Sequence, residues 1–245
     1  MRNSGEENSS ECIEINDRIL NACEDYRYLL ERGYPQKSSL DLISGRYALN
    51  RSERSLIMRC VHRKDYLERI RGRIIKPDNM RGELILIDLF NVLSTLSTAL
   101  AGGCIYLCDD GFARDIGGIR SIESNESVHE ASDLIVSFLR DLGVREIIYV
   151  ADKSRSKSKE ISRILTDRSF HAGLLSSYLL AEKADREIID LSTARGGVVV
   201  SSDFLVLEKA LKVFDLAGFI IRSAHERIFR TRIVDLMSIL EKRLK

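Results

Sequence analysis

The spacing of apolar positions changes near residue 83. From Ile15 to Arg32, the positions Ile15, Ile19, Leu20, Cys23, Tyr26, Leu29 and Leu30 recur at the period of one helix face. Gly33 and Pro35 end that helix, as a C-terminal glycine followed by proline does. Ser38 or Ser39 caps a second helix through Leu40, Leu42 and Ile43, with Gly45 near its end. Ser52 and Glu53 open a third through Leu56, Ile57 and Cys60, and Tyr66 to Ile75 reads as a fourth, weakened by Gly72. A polar, disordered tail over 1–13 and a small helical domain over 14–78 follow from this pattern. Its short helices and tight turns leave room for a helix-turn-helix-like pair.

Lys76, Pro77, Asp78 and Asn79 lead to Gly82 in a linker-like stretch. Beyond it, short apolar runs alternate with helical segments, the pattern of a parallel α/β sheet. Strands are expected at 84–88, 104–108, 146–151 and 197–201, with a short one near 212–215. Helices are expected near 91–101, 127–142, 157–168, 179–193, 204–211 and 225–243. Wholly apolar runs such as Leu84-Ile85-Leu86-Ile87 and Val198-Val199-Val200 mark strands buried on both faces. The predicted fold class is therefore α/β. A small all-helical N-terminal domain precedes a three-layer α/β/α domain over 83–224 with a mainly parallel sheet, and a C-terminal helix covers 225–245. Residues 109–125, rich in Asp, Gly and Ser, read as a long loop, and such loops in compact domains are often functional.

In an open parallel sheet the carboxyl ends of the strands line the ligand crevice. Asp88 ends the first strand, Asp152 follows Ile147-Ile148-Tyr149-Val150-Ala151, and Asp203 follows Val198-Val199-Val200-Ser201-Ser202. Asp185 opens a helical segment. Carboxylates gathered in one crevice repel each other unless a cation lies between them, so a hard-metal site is the natural reading. Any one of these aspartates serves equally well as a helix cap; three at strand ends argue for a site. Asn91 would fix Asp88 or contact a phosphate. The run Lys153-Ser154-Arg155-Ser156-Lys157-Ser158-Lys159 offers a phosphate-facing turn, although a soluble capping loop accounts for it better. Lys183 would neutralise a phosphate, while Glu187 and Asp190 fall on the solvent face.

Charge adds a partner to this picture. The net charge of +1 hides eleven basic residues against four acidic ones between Arg46 and Arg81. That excess suits a polyanion as well as it suits a solvated helix surface, with Arg69, Arg71 and Arg73 as candidate contacts beside Lys153, Lys157 and Lys183. No run approaches the ~18 apolar residues of a membrane span. The polar, acidic stretch Met1 to Glu14 lacks the plan of a secretory signal, so a cytoplasmic protein without membrane contact is expected. Cys12, Cys23, Cys60, Cys104 and Cys108 form no CxxC pair, and His62, His129, His171 and His225 are dispersed, so zinc-ligand spacing is absent. The cysteines read as buried reduced thiols. No GxGxxG follows the first strand, against a dinucleotide enzyme. Phe90 stands where a haloacid-dehalogenase-type phosphatase places its second aspartate, which excludes that type.

Leu86-Ile87-Asp88 with Asn91, Tyr149-Val150-Ala151-Asp152, Ala184-Asp185 and Val200-Ser201-Ser202-Asp203-Phe204 together resemble, in this order, the PIN/NYN-like ribonuclease superfamily. The whole chain looks like an uncharacterised two-part archaeal family, a helical front end on a PIN-like body. In that family the Tyr34-Pro35 and Arg46-Tyr47 turns and the Asp109-Asp110-Gly111…Arg114-Asp115 loop would recur; the resemblance covers most of 15–222. It implies metal-dependent hydrolysis of RNA phosphodiesters. Asp88, Asp185 and Asp203 would hold Mg2+ or Mn2+, with Asp152 bordering the site and Asn91 orienting Asp88 or the substrate. RNA is the implied partner, and homo-oligomerisation is left open. There is one departure: many relatives carry a second acid one turn after the Ala-Asp motif, where Ile188 and Ile189 stand here. Asp109, Asp110 or Asp115 would replace it if their loop folded over the crevice. The alternative is a non-catalytic RNA-binding module on the same scaffold.

Overall fold

The computed structural model describes residues 12–117, 125–225 and 227–243. Most of the expected tail, and residues 118–124 of the expected long loop, lie outside the described residues. Four helices come first: α1 (Asp17–Glu31), α2 (Gln36–Arg46), α3 (Arg51–Cys60) and α4 (Lys64–Arg71). The Asn16 side chain accepts from the Ile19 amide to start α1, and Gly33 takes the left-handed turn after it at φ +81°. Asn50 and Glu53 form a reciprocal capping box at the start of α3, two residues before the predicted cap.

Next come β1 (Leu84–Asp88), α5 (Leu89–Leu100), β2 (Ile105–Leu107), β3 (Ala113–Asp115), α6 (Asn125–Asp141), β4 (Glu146–Asp152) and α7 (Ser158–His171). The chain continues through β5 (Ser176–Ala181), α8 (Ala184–Arg195), β6 (Val198–Val200), α9 (Phe204–Lys209), α10 (Leu216–Ala224), β7 (Ile233–Asp235) and α11 (Leu236–Arg243). The main sheet has the order β5-β4-β1-β6, and every pairing in it is parallel.

Alternate residues of these strands face opposite layers. Ile85, Ile87, Ile147, Tyr149, Val198 and Val200 pack with Leu93 and Leu96 of α5, Ile135 of α6, Leu165 of α7 and Ile220 of α10. Leu84, Leu86, Ile148, Val150 and Val199 pack with Tyr66 and Ile70 of α4, Ile188 of α8 and Leu207 of α9. The expected α/β/α sandwich is therefore present, with a parallel sheet between two helical layers. Gly197 precedes β6 at φ +103°, and a Cβ there would meet the Leu84 carbonyl oxygen at 2.8 Å.

The helical front end does not pack by itself. Ile19, Tyr26, Leu56 and Ile57 share one core with Tyr106 of β2 and with Leu236 and Leu240 of α11. α4 belongs to the sheet's own core, so the stretch from Lys76 to Gly82 joins packed elements rather than separating two bodies.

Several elements differ from the sequence expectation. The segment read as one helix over 179–193 is β5 followed by α8, because the edge strand Ser176–Ala181 is half-buried and shows no alternation. β2 leaves the main sheet and pairs antiparallel with β3 and parallel with β7. The region expected as a C-terminal helix over 225–245 holds β7 before α11. The apolar segment Leu216–Ala224, not anticipated, is α10. The strand expected near 212–215 is reduced to bridges from Val213 to Ile74 and Val199. The cysteines are not all free thiols: Cys12 joins Cys104 and Cys60 joins Cys108, and Cys23 alone stays free and buried. Packing of the end of α3 against the end of β2 brings Cys60 to Cys108, residues distant in sequence.

Candidate functional site

The register of the parallel sheet builds a crevice. Asp88 lies level with Val150 of β4, and Ile87 lies level with Val200 of β6, so Ser201 emerges beside Asp88. Ser201 Oγ donates to Asp88 Oδ2 at 2.9 Å and accepts from the Asp203 amide at 3.0 Å. By strand alternation Asp88, Asp152 and Ser201 share the face covered by α8 and α9. Asp152 Oδ1 accepts from the Ala184 amide at 3.0 Å, which seats the first turn of α8 and places Asp185 beside the strand ends. Asp203 caps α9 by accepting from the Leu205 and Val206 amides at 2.8 and 3.2 Å.

These four carboxylates sense one another. Burial pushes the Asp88 carboxyl up to about 7; the Ser201 hydroxyl opposes this, and the charges of Asp185 and Asp203 add to it. Asp185 is also raised, first by partial burial and then by Asp203 and Asp152, with Arg155 pulling the other way. The fold brings Asp88, Asp152, Asp185 and Asp203, the four acids singled out in the sequence, within electrostatic reach of one another.

Asn91 acts differently from either role expected of its side chain. Its Oδ1 accepts from the amide and hydroxyl of Ser202 at 2.9 and 2.8 Å, which ties α5 to the loop leading into Asp203. Ser201, given no role of its own in the sequence reading, holds Asp88 through its hydroxyl. Arg155 was also overlooked as a site residue. Its guanidinium lies 4.8 Å from the Phe90 ring centroid and 3.5 Å from Asp152 Oδ2, at the lip of the crevice.

A second acidic cluster lies on the α4 side of the crevice. Asp109 accepts from Arg27 at 2.9 Å, from the His62 amide at 2.7 Å, and lies 2.6 Å from His62 Nδ1. Asp110 is held in a fork by Arg114 at 2.7 and 2.5 Å and accepts from Tyr66 Oη at 3.2 Å. Burial pushes Asp110 up, but Arg114 and His62 outweigh it and hold the carboxyl below its ordinary range. Arg114 Nε also donates to the Ser202 carbonyl at 2.8 Å, so this cluster braces the β6 loop. Asp115 accepts from Ser94 and Thr95 at 3.3 Å each. Among the described residues, His62, Asp109 and Asp110 are the group whose ligand atoms lie within 4.8 Å of one another. Both aspartates already have a guanidinium, however, and a dication there would meet positive charge. The loop does not deliver the acid missing after Asp185.

The basic residues divide by position. Arg69 pairs with Asp65 and Glu208, Arg71 pairs with Glu241, and Arg73 donates to the Glu208 and Ala210 carbonyls. All three are engaged within the protein and none converges on the crevice. Lys183 is exposed at the N-terminal cap of α8, next to Asp185. Lys153 pairs with Glu182 at 3.0 Å, and Lys157 occupies the left-handed region at φ 59° before α7. Among the described residues no helix is long and apolar enough to cross a membrane.

Residues 18–73 match the family described as Protein of unknown function (DUF434). The chain is 27% identical over 191 residues to an uncharacterised protein of Methanocaldococcus jannaschii, an alignment covering 78% of this chain and 89% of that relative. No solved structure matches. Residues 77–219, more than half of the chain and all four crevice aspartates, match the family described as Domain of unknown function (DUF5616), and to that family the chain belongs.

Proposed function

We propose that the protein is a metal-dependent ribonuclease with a PIN/NYN-like scaffold, hydrolysing RNA phosphodiester bonds at the strand-end crevice. The observation that carries this reading is the convergence of Asp88, Asp152, Asp185 and Asp203, with the carboxyls of Asp88 and Asp185 raised first by burial and further by the neighbouring carboxylates. Such repulsion persists in a folded protein where a cation relieves it. The donors are all hard carboxylate oxygens, which suits Mg2+ or Mn2+. Asp88, Asp185 and Asp203 would hold the ion, which supplies an acidified water and neutralises charge growing on the phosphate.

The chain's own residues do the rest. Ser201 fixes the rotamer of Asp88, and Asn91 fixes the Ser202 loop from which Asp203 projects. Asp152 anchors the helix that carries Asp185. Arg155, stacked near Phe90, offers a guanidinium to a phosphate at the crevice lip.

One observation favours the second reading, a non-catalytic RNA-binding module. Ile188 is buried in the core and Asp190 pairs with Arg186, so no further acid follows Asp185 into the crevice. Cleavage of mixed structured and single-stranded RNAs in Mn2+, Mg2+ or EDTA separates the two. We expect cutting that needs the metal and falls on the order of 100-fold or more in Asp88→Asn. RNA retention without cutting in any metal would instead establish the binding module.

A further inference from the structure

Beside the crevice, on the side of α7, lies an open cavity of about 790 Å³ lined mainly by charged residues, with Ile164 and Leu180 among them. Lys153, Arg155, Lys157, Lys159 and Arg163 line it, opposed by Glu160 and Asp167. Arg155 belongs to both places, since it also contacts Asp152 and acts on Asp185. The cavity therefore adjoins the acidic crevice at Arg155.

The placement of these cations is unfavourable for the protein by itself. Lys157 and Lys159 sit at the N-terminus of α7, the end where the helix dipole disfavours positive charge. Lys159 and Arg163 stand one turn apart on the same helix face, a like-charge spacing that costs helix stability. Among the described residues neither Lys159 nor Arg163 has an ion-pair partner, although Lys153 and Arg155 have acids nearby. The basic residues of α4 and its surroundings are, by contrast, matched by Asp65, Glu208 and Glu241. Five cations against two acids, with Lys159 and Arg163 outside any ion pair among the described residues, leave a basic wall beside an acidic crevice, the complement of a chain of phosphates whose scissile bond would lie over a metal.

We propose that single-stranded RNA lies along this α7 groove on its way into the crevice, and that the basic stretch 46–81 is not its binding surface. The inference rests on the ribonuclease reading for the role of the crevice, but binding in the groove needs no cleavage. The test is fluorescence anisotropy of a labelled single-stranded RNA of mixed sequence, read in EDTA with the full-length Asp88→Asn protein across a salt series. Lys157→Asn with Lys159→Glu and Arg163→Glu should weaken binding at least tenfold and flatten the log–log salt slope by about 2, for three lost phosphate contacts. Asn is chosen at 157 because it tolerates the left-handed backbone. Lys159→Ala with Arg163→Ala should shift both quantities in the same direction and by less.

Arg69→Glu with Arg71→Glu should leave the affinity unchanged. Equal loss from that pair, or none from the groove variants, overturns the proposal, as does preferential capture of anionic phospholipid vesicles over RNA. Tighter binding of duplex RNA would overturn the single-strand assignment. Groove-dependent binding with no cleavage in any metal would sink the ribonuclease reading alone. Cleavage that the groove variants leave intact would sink the groove alone.

Discussion

Two acidic clusters meet at the β6 loop, and they differ in what neutralises them. Around Asp109 and Asp110, each carboxylate has its own arginine, and Arg27, His62, Tyr66 and Arg114 close the network away from water. At the strand ends, Asp88, Asp185, Asp203 and Asp152 face one another, with Arg155 beside Asp152 and Asp185 and Arg59 acting on Asp203, and none of the four is held in a guanidinium fork of the Arg114 kind. The first cluster is the tighter in geometry and would pass a distance criterion for a metal site. Charge balance points the other way: Asp109 and Asp110 are each neutralised by an arginine, and the proposed ion site is the crevice, where the carboxylates outnumber the guanidinium groups beside them.

The sharpest way to break this comparison is Arg114→Met. Removal of the guanidinium leaves Asp110 buried beside Tyr66, and a loss of about 3–5 kcal/mol in urea unfolding is expected. A loss under about 1 kcal/mol would mean that the network is not held by charge matching.

The crevice should answer with the opposite sign. Asp88 has its carboxyl raised to about 7 in the folded protein, so the protonated form favours folding. That contribution is complete below about pH 4 and disappears as the pH rises towards 7, on the order of 4 kcal/mol in metal-free protein. The difference between wild type and Asp88→Asn in EDTA isolates it, and the variant should be the more stable protein at pH 8. Equal stability of the two at both pH 5 and pH 8 would remove the electrostatic case for the crevice.

Asp203→Asn should show the smallest change in stability. Asparagine caps a helix as well as aspartate, so the loss should stay within about 0.5 kcal/mol. Its effect should appear instead in thermal shifts with Mn2+. At a hundredfold excess over Kd the wild type should gain about 2.7 kcal/mol, and the variant should gain little. A full gain in the variant would take Asp203 out of the proposed ligand set.

The strands of the main sheet could be read from local pattern because burial on both faces leaves a continuous apolar run, as in Leu84–Ile87 and Val198–Val200. The aspartates at their ends followed from the same runs. β5 was not legible: as an edge strand it alternates poorly, and its apolar end merges with the helix after it. β3 and β7 are three residues each and exist only through their pairing with β2. The stretch holding Asp109, Asp110 and Asp115 reads as a long loop from composition, yet these three acids are buried, because their partners Arg27, His62 and Thr95 come from elements far along the chain. Lys159 and Arg163 carried a signal in their one-turn spacing, but their lack of partners is visible only in the fold.

By itself the sequence determined the layer plan, the positions of the buried strands and the identity of the four crevice aspartates. Each of these is written in the order of neighbouring residues, through periodicity and the polar stop at a strand end. Tertiary structure decided which carboxylates are matched and which are not. It paired Arg69 and Arg71 with acids at the surface and Arg73 with backbone carbonyls, left Lys159 and Arg163 outside any ion pair among the described residues, and set Ser201 against Asp88. Charge compensation depends on which distant side chains share a few ångströms of low-dielectric space, and no local pattern encodes that distance.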